Sequence, residues 1–142
     1  MPLLARKGFL AIAAVIDVAL HSMGRPVSAK ALASRHGLPP RHLEPVLQAL
    51  VHDGILKGIR GPRGGYELAR EMPSISAGDI LRAAGTVEED ADGEEATSPL
   101  LTEVVIPALA QPERLFAEAL NGITLEELVQ RAKLSPAAID KS

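Results

Sequence analysis

The sequence predicts a mainly α-helical fold with a small β-hairpin, a winged helix-turn-helix carrying a helical arm. Three observations predict it. Two short helical patterns stand in tandem at residues 29–36 and 40–52, joined by a Gly-Leu-Pro turn. They are followed by an apolar run after Asp53-Gly54 and then by RGPRGGYELAR at residues 60–70. That stretch reads as the basic tip and return strand of a hairpin, its glycines supplying positive φ. Finally, the chain has two Phe, one Tyr and no Trp, so its core must be built from Ala, Leu, Val and Ile. Ala and Leu favour helices, and a core of this kind suits helical faces.

The elements follow in order. Residues 4–21 form a first helix, apolar around most of its circumference through Phe9, Leu10, Ile12, Ala13, Val15, Ile16, Ala19 and Leu20. Such a helix is covered on several sides, by its own domain and often by a second subunit. Arg6 and Lys7 ahead of this run imitate a signal peptide, but Asp17 interrupts it and no convincing cleavage site follows. The run is too short to span a bilayer, so a buried helix in a cytoplasmic protein is expected. Gly24, Arg25 and Pro26 stop that helix. Ser28 is placed to cap the next, residues 29–36, and Gly37 to end it.

Pro40 suits the first turn of the third helix. There Leu43, Val46, Leu47, Leu50 and Val51 recur at helical spacing, leaving Arg41, His42, Glu44, Gln48 and His52 on the opposite face. In a helix-turn-helix this is the helix that enters the major groove. Pro45 interrupts it, at a cost of about 3 kcal/mol inside a helix. Either the helix starts late or it bends there.

Beyond the hairpin, Ser76 is placed to cap a short helix closed by Gly85. Residues 86–98 are nearly all acidic or small, without apolar periodicity, and read as a mobile loop. Apolar pattern resumes at Leu100 and runs to Leu120, interrupted by Pro107 and Pro112. It reads as two helices or one kinked helix, with more apolar face than a small winged domain needs. Thr124 and Glu127 have capping-box spacing at the head of a last helix ending near Lys133. The expected organisation is a winged helix-turn-helix over residues 1–84 and a flexible acidic loop over 85–99. A helical dimerisation arm over 100–134 and a tail over 135–142 complete it.

The net charge of −3 conceals an asymmetry. Residues 1–72 carry +5 and residues 73–142 carry −8. A basic N-terminal half suits a polyanion, which the acidic half would repel, so double-stranded DNA is the expected partner. The chain has no Cys, which excludes disulfides, thiolate zinc sites and Cys-ligated iron-sulfur clusters. The four His are scattered, with no His-x-x-x-His pair, and the spacing of Glu88, Glu89, Asp90, Asp92, Glu94 and Glu95 fits no calcium loop. No metal or cofactor is therefore expected. Nor is there a nucleophile elbow, a phosphate loop or a dinucleotide fingerprint, so an enzyme is not expected.

With these pieces placed, the chain resembles the Rrf-two family of transcription regulators, the family of the iron-sulfur cluster regulator IscR. The resemblance rests on Lys7-Gly8, DVAL at Asp17 to Leu20, Pro26-Val27-Ser28, His42-Leu43-Glu44, RGPRGGYELAR, GDILRA and the closing ITLEEL. It implies a dimer that binds a palindromic operator, usually as a repressor and sometimes as an activator. Cluster-binding members carry three Cys in the segment matching residues 85–101, and some add a His shortly after. Here those Cys are absent, and Glu103 stands about where the extra ligand falls. The resemblance is thus to a cluster-free member, one that responds to a small-molecule effector or a regulatory protein.

The expected DNA contacts are Ser28, Pro40, Arg41, His42, Glu44 and Gln48 on the helix-turn-helix. The wing adds Arg60 and Arg63, in the minor groove or on phosphate, with Gly64 and Tyr66, whose part is more structural. The competing reading is a winged module that acts through a protein partner and binds little DNA. A basic wing and recognition face are what that module would not need.

Overall fold

A computed structural model describes residues 6–22, 24–85 and 99–135. The acidic loop of residues 86–98, with its six candidate carboxylates, lies outside the described residues, as do residues 1–5 and 136–142. Helix α1 (Arg6–His21) is the central element. Ala11, Ala14, Val15 and Val18 recur on one face at helical spacing and are fully buried. Around α1 pack α2 (Ala29–His36), α3 (Pro40–His52), α4 (Ala77–Gly85), α6 (Leu125–Lys133) and the second strand of the hairpin.

The helix-turn-helix forms as its caps dictate. Ser28 sits in extended backbone and its Oγ accepts from the Ala31 amide at 3.0 Å. Gly37 takes the left-handed conformation at φ 65°, where a side chain would be strained, and its amide reaches back to Ser34. Helix α3 buries Leu43, Val46, Leu47 and Leu50. Of the two alternatives at Pro45, the late start is not what the structure adopts. The helix begins at Pro40 and runs through Pro45. Pro45 has no amide to give the Arg41 carbonyl, and exposure of both residues leaves that carbonyl to water.

The wing is an antiparallel hairpin of β1 (Leu56–Ile59) and β2 (Gly65–Leu68), with Leu56 opposite Leu68 and Ile59 opposite Gly65. A 3₁₀ turn, Met72–Ser74, leads to α4. There the Ser76 Oγ accepts from the Asp79 amide at 3.0 Å and the Asp79 carboxylate accepts from the Ser76 amide at 3.1 Å, a reciprocal cap.

Pro112 lies inside α5 (Ile106–Asn121) rather than at the head of a separate helix. A π-helical stretch, Leu101–Val105, precedes α5. Pro107, in the first turn of α5, has no amide to donate, and the wider turn ahead of it is where the helical bonding shifts register. Helix α6 is capped by Thr124, whose Oγ1 accepts from the Glu127 amide at 3.1 Å. It buries Leu125 and Val129 in the main core.

Candidate nucleic-acid interface

The polar face of α3 is presented as the periodicity predicts. Pro40, Arg41, His42, Glu44 and Gln48 are all exposed, opposite the buried stripe. At the hairpin tip Arg60 and Arg63 are exposed as well.

The wing is fixed by backbone contacts on both sides of β2. Tyr66 exchanges two hydrogen bonds with Val27, its amide donating at 2.8 Å and its carbonyl accepting at 3.0 Å. This bridge ties the hairpin to the segment that caps α2. It explains Gly65, whose Cβ would lie 2.4 Å from the Val27 carbonyl oxygen. A Cβ on Gly64 would lie 2.1 Å from the Ile59 carbonyl oxygen, so the tip also closes only with glycine there. Burial pushes the Tyr66 hydroxyl above its usual pKa, and the nearby Glu44 carboxylate pushes it further, which sets Glu44 of α3 within electrostatic reach of the wing.

Docked in this way, the wing tip faces the start of α2 across an open cavity of about 1110 Å³. Its lining includes Ser28, Arg25 and His21 on one side and Pro62, Arg63 and Gly64 on the other, with Arg35 among them. Ser28, Arg63 and Gly64 of the expected contact set therefore meet here. Arg60 and Tyr66 share a separate shallow hollow on the hairpin, and His42 lines a third cavity beside α1.

The basic side chains differ in whether they already have acidic partners. Lys57 pairs with Glu67, Arg70 and Arg82 with Asp79, and Arg131 with Glu127. Arg35 is taken by Asp17, with Nε 2.9 Å from Oδ2 and Nη2 2.7 Å from Oδ1. Arg25, Lys30, Arg41, Arg60 and Arg63, together with Arg114 of α5 and Lys133 of α6, have no acidic partner among the described residues. Their charge is available to an external anion.

Asp17 is the buried charged residue of the described core, 6 % exposed. Besides Arg35 it meets His21 Nδ1 at 3.2 Å and His36 Nε2 at 3.2 Å. Burial raises its pKa, but the Arg35 hydrogen bonds and charge, helped by His21 and His36, outweigh burial and hold it below the usual carboxylate value. The network pins α2 to α1, and His21 and Arg35 carry it to the wall of the α2–wing cavity.

The roles of two residues escaped the sequence reading. Arg25 stood out as part of a helix stop, and Asp17 as an interruption of an apolar run and the head of the DVAL motif, neither as a charge placed at or behind this cavity. The available signal was Asp17 itself, since a carboxylate inside a helix apolar on most sides demands a buried cation.

Residues 4–131 match the family model described as "Rrf2: Iron-dependent Transcriptional regulator". The chain belongs to the Rrf2 family. It is 33% identical over 136 residues to the HTH-type transcriptional regulator IscR of Erwinia tasmaniensis, covering 92% of this chain and 81% of that protein. The IscR of Yersinia pseudotuberculosis is 34% identical over 134 residues, 89% of this chain and 78% of that one. Among solved structures, T. potens IscR superposes with a TM-score of 0.71 at 31% identity, covering 92% of this chain and 88% of its own. CymR, the global cysteine regulator of B. subtilis, gives 0.67 at 30% identity over 92% and 98%. The Rrf2 chain described here is thus a DNA-binding transcription regulator with a winged-helix fold, and its relatives are regulators rather than enzymes. An iron-sulfur cluster held by thiolates does not fit this Rrf2 member, because the chain contains no Cys. Among the described residues no group of three or more His, Asp or Glu is arranged to hold a metal ion, and no helix is long and apolar enough to cross a membrane.

Proposed function

We propose that the chain is a cytoplasmic homodimeric repressor that binds a palindromic operator without an iron-sulfur cluster. Each subunit places the α3 face of Pro40, Arg41, His42, Glu44 and Gln48 in a major groove. The wing, through Arg60 and Arg63, tracks the adjacent backbone or minor groove. The carrying observation is the distribution of unpartnered arginines. Arg25 and Arg63 flank the cavity at the capped start of α2, where Ser28 and the first α2 amides complete a seat for a backbone phosphate.

Dimerisation through α1 and residues 100–120 is supported by the outer face of α5. Val105, Ile106, Leu109 and Phe116 are exposed and line one continuous hollow with Pro112. Exposed apolar side chains grouped in this way are what an interaction surface presents. On this reading residues 1–84 read DNA, and the arm sets half-site spacing in response to an effector or a regulatory protein.

Mobility shifts of the purified protein on its own upstream DNA across salt concentrations test the DNA reading. With Arg25→Ala and Arg63→Ala combined, the slope of log affinity against log salt falls by about two, since one phosphate seat is lost in each subunit of the dimer and each removes about 0.9. A wild-type protein that binds only weakly and without sequence preference, with an unchanged slope in the double variant, refutes the proposal.

A further inference from the structure

Beside the front of α1 lies a cavity of about 630 Å³, distinct from the one beneath the wing. Phe9, Leu10, Ala13 and Leu38 give it a largely apolar floor. Lys7 of α1, His36 of α2 and His42 of α3 stand on its wall, so three helices each contribute one basic group. Among the described residues of the lining, none is acidic. The volume falls in the range of small-molecule sites, and an apolar surface with a few convergent polar groups is their usual composition.

We propose that this cavity binds a small organic anion, a carboxylate with an aromatic or aliphatic body, and that the bound anion weakens the grip on DNA. The body covers Phe9, Leu10, Ala13 and Leu38, and the carboxylate is held chiefly by His42, since His36 Nε2 already faces the Asp17 carboxylate. Two features route this binding to DNA recognition. His42 belongs both to the cavity and to the first turn of α3, so a carboxylate engaged there takes a cationic or donor group from the polyanion and adds a negative charge beneath the recognition helix. His36 in turn contacts Asp17, 3.2 Å away, within the network that pins α2 to α1. By linkage, DNA must weaken anion binding by the same factor. The binding half of the proposal stands on the cavity alone, whereas the regulatory half rests on the DNA reading above.

The test uses the full chain with phenylacetate and hexanoate as probes, and benzyl alcohol, hexanol and inorganic phosphate as controls. In calorimetry without DNA, the carboxylates bind saturably with Kd near or below about 1 mM, and the alcohols at least about tenfold more weakly. Ala13→Leu fills the cavity from a helix position where Leu is well tolerated, and exposed His42→Gln removes one basic group. Each lowers carboxylate affinity at least about fivefold, with far-UV circular dichroism and melting temperature retained. In mobility shifts, saturating carboxylate raises the apparent Kd for operator DNA by about tenfold in the wild type and leaves Ala13→Leu unaffected.

No carboxylate binding up to about 10 mM, an affinity too weak for a built site, overturns the proposal. Equal affinity for the alcohols overturns the anion class and identifies an apolar face awaiting a partner. Phosphate binding as tightly as the carboxylates assigns the cavity to the DNA backbone instead. Carboxylate binding with no effect on a functioning DNA complex overturns the regulatory half alone. If the protein fails to bind DNA at all, the DNA reading fails while the calorimetric result still decides the site.

Discussion

Asp17→Asn keeps the shape of the side chain and one carbonyl oxygen while removing the charge that Arg35, His21 and His36 surround. Removing one partner of a fully buried ion pair costs about 3–5 kcal/mol. Here the Arg35 side chain is 23 % exposed, so water recovers part of its solvation, and the Asn oxygen still accepts one guanidinium hydrogen. The loss expected is about 2–3 kcal/mol, equivalent to a fall in Tm of roughly 6–12 °C for a chain of this length. Thermal unfolding followed by circular dichroism near pH 7, at fixed protein concentration, measures it. The sign with pH is also fixed. Because the folded-state pKa of Asp17 is lowered, its stabilisation is complete above the unfolded carboxylate value of about 3.9 and is lost as pH falls through the folded value. The gap between wild type and Asp17→Asn therefore narrows only in acid. A variant that melts within about 1 °C of the wild type near pH 7, or a gap that already closes between about pH 7 and pH 5, refutes the assignment of Asp17 as a charged anchor.

Three further substitutions probe the geometry around the interface. Ser28→Ala removes the cap on α2 and costs about 1 kcal/mol in denaturant unfolding; no change would mean the Oγ contact to Ala31 carries no weight. Gly65→Ala forces a Cβ against the Val27 carbonyl, so the wing undocks. DNA affinity falls by more than about tenfold and stability drops by about 1–3 kcal/mol, and unchanged DNA affinity would show that the wing needs no fixed position. Pro45→Gln returns an amide to the Arg41 carbonyl and stabilises α3 by up to about 3 kcal/mol. Selection from a randomised operator then shifts if Pro45 sets the aim of Arg41 and His42, and an identical preferred sequence rejects that role.

Much of this fold is written locally. Ser28, Gly37, Ser76 and Thr124 mark helix ends by chemistry that acts within three or four residues, and the structure places caps or stops at each. The stripe of Leu43, Val46, Leu47 and Leu50 is likewise a local period that buries the face it predicts. Gly64 and Gly65 were legible as turn glycines, but their reason was not. The atoms that exclude a side chain at Gly65 belong to the backbone of Val27 and Ser28, far away in sequence. Residues 100–120 left open two helices or one, because a proline tells where a hydrogen bond is lost and not how the helix absorbs the loss. Here a π-helical stretch precedes Pro107, and Pro112 is carried inside α5.

The interface shows the same boundary between local and distant information. A count of charges places a basic half at residues 1–72, but that count treats Arg25, Arg35, Arg63 and Arg70 alike. Folding divides them. Arg35 is consumed by a carboxylate eighteen positions earlier and Arg70 by Asp79, whereas Arg25 and Arg63, remote in sequence, come to one cavity with no acidic partner among the described residues. An arginine already paired has surrendered much of its field to its partner, so an approaching phosphate gains little from it. On the proposed DNA reading, what meets a polyanion at this cavity is the uncompensated remainder, Arg25 and Arg63. Asp17 contributes to the proposed interface without touching it, by fixing the α1–α2 packing that brings Arg25 and Ser28 opposite Arg63, and at the expense of the charge it takes from Arg35.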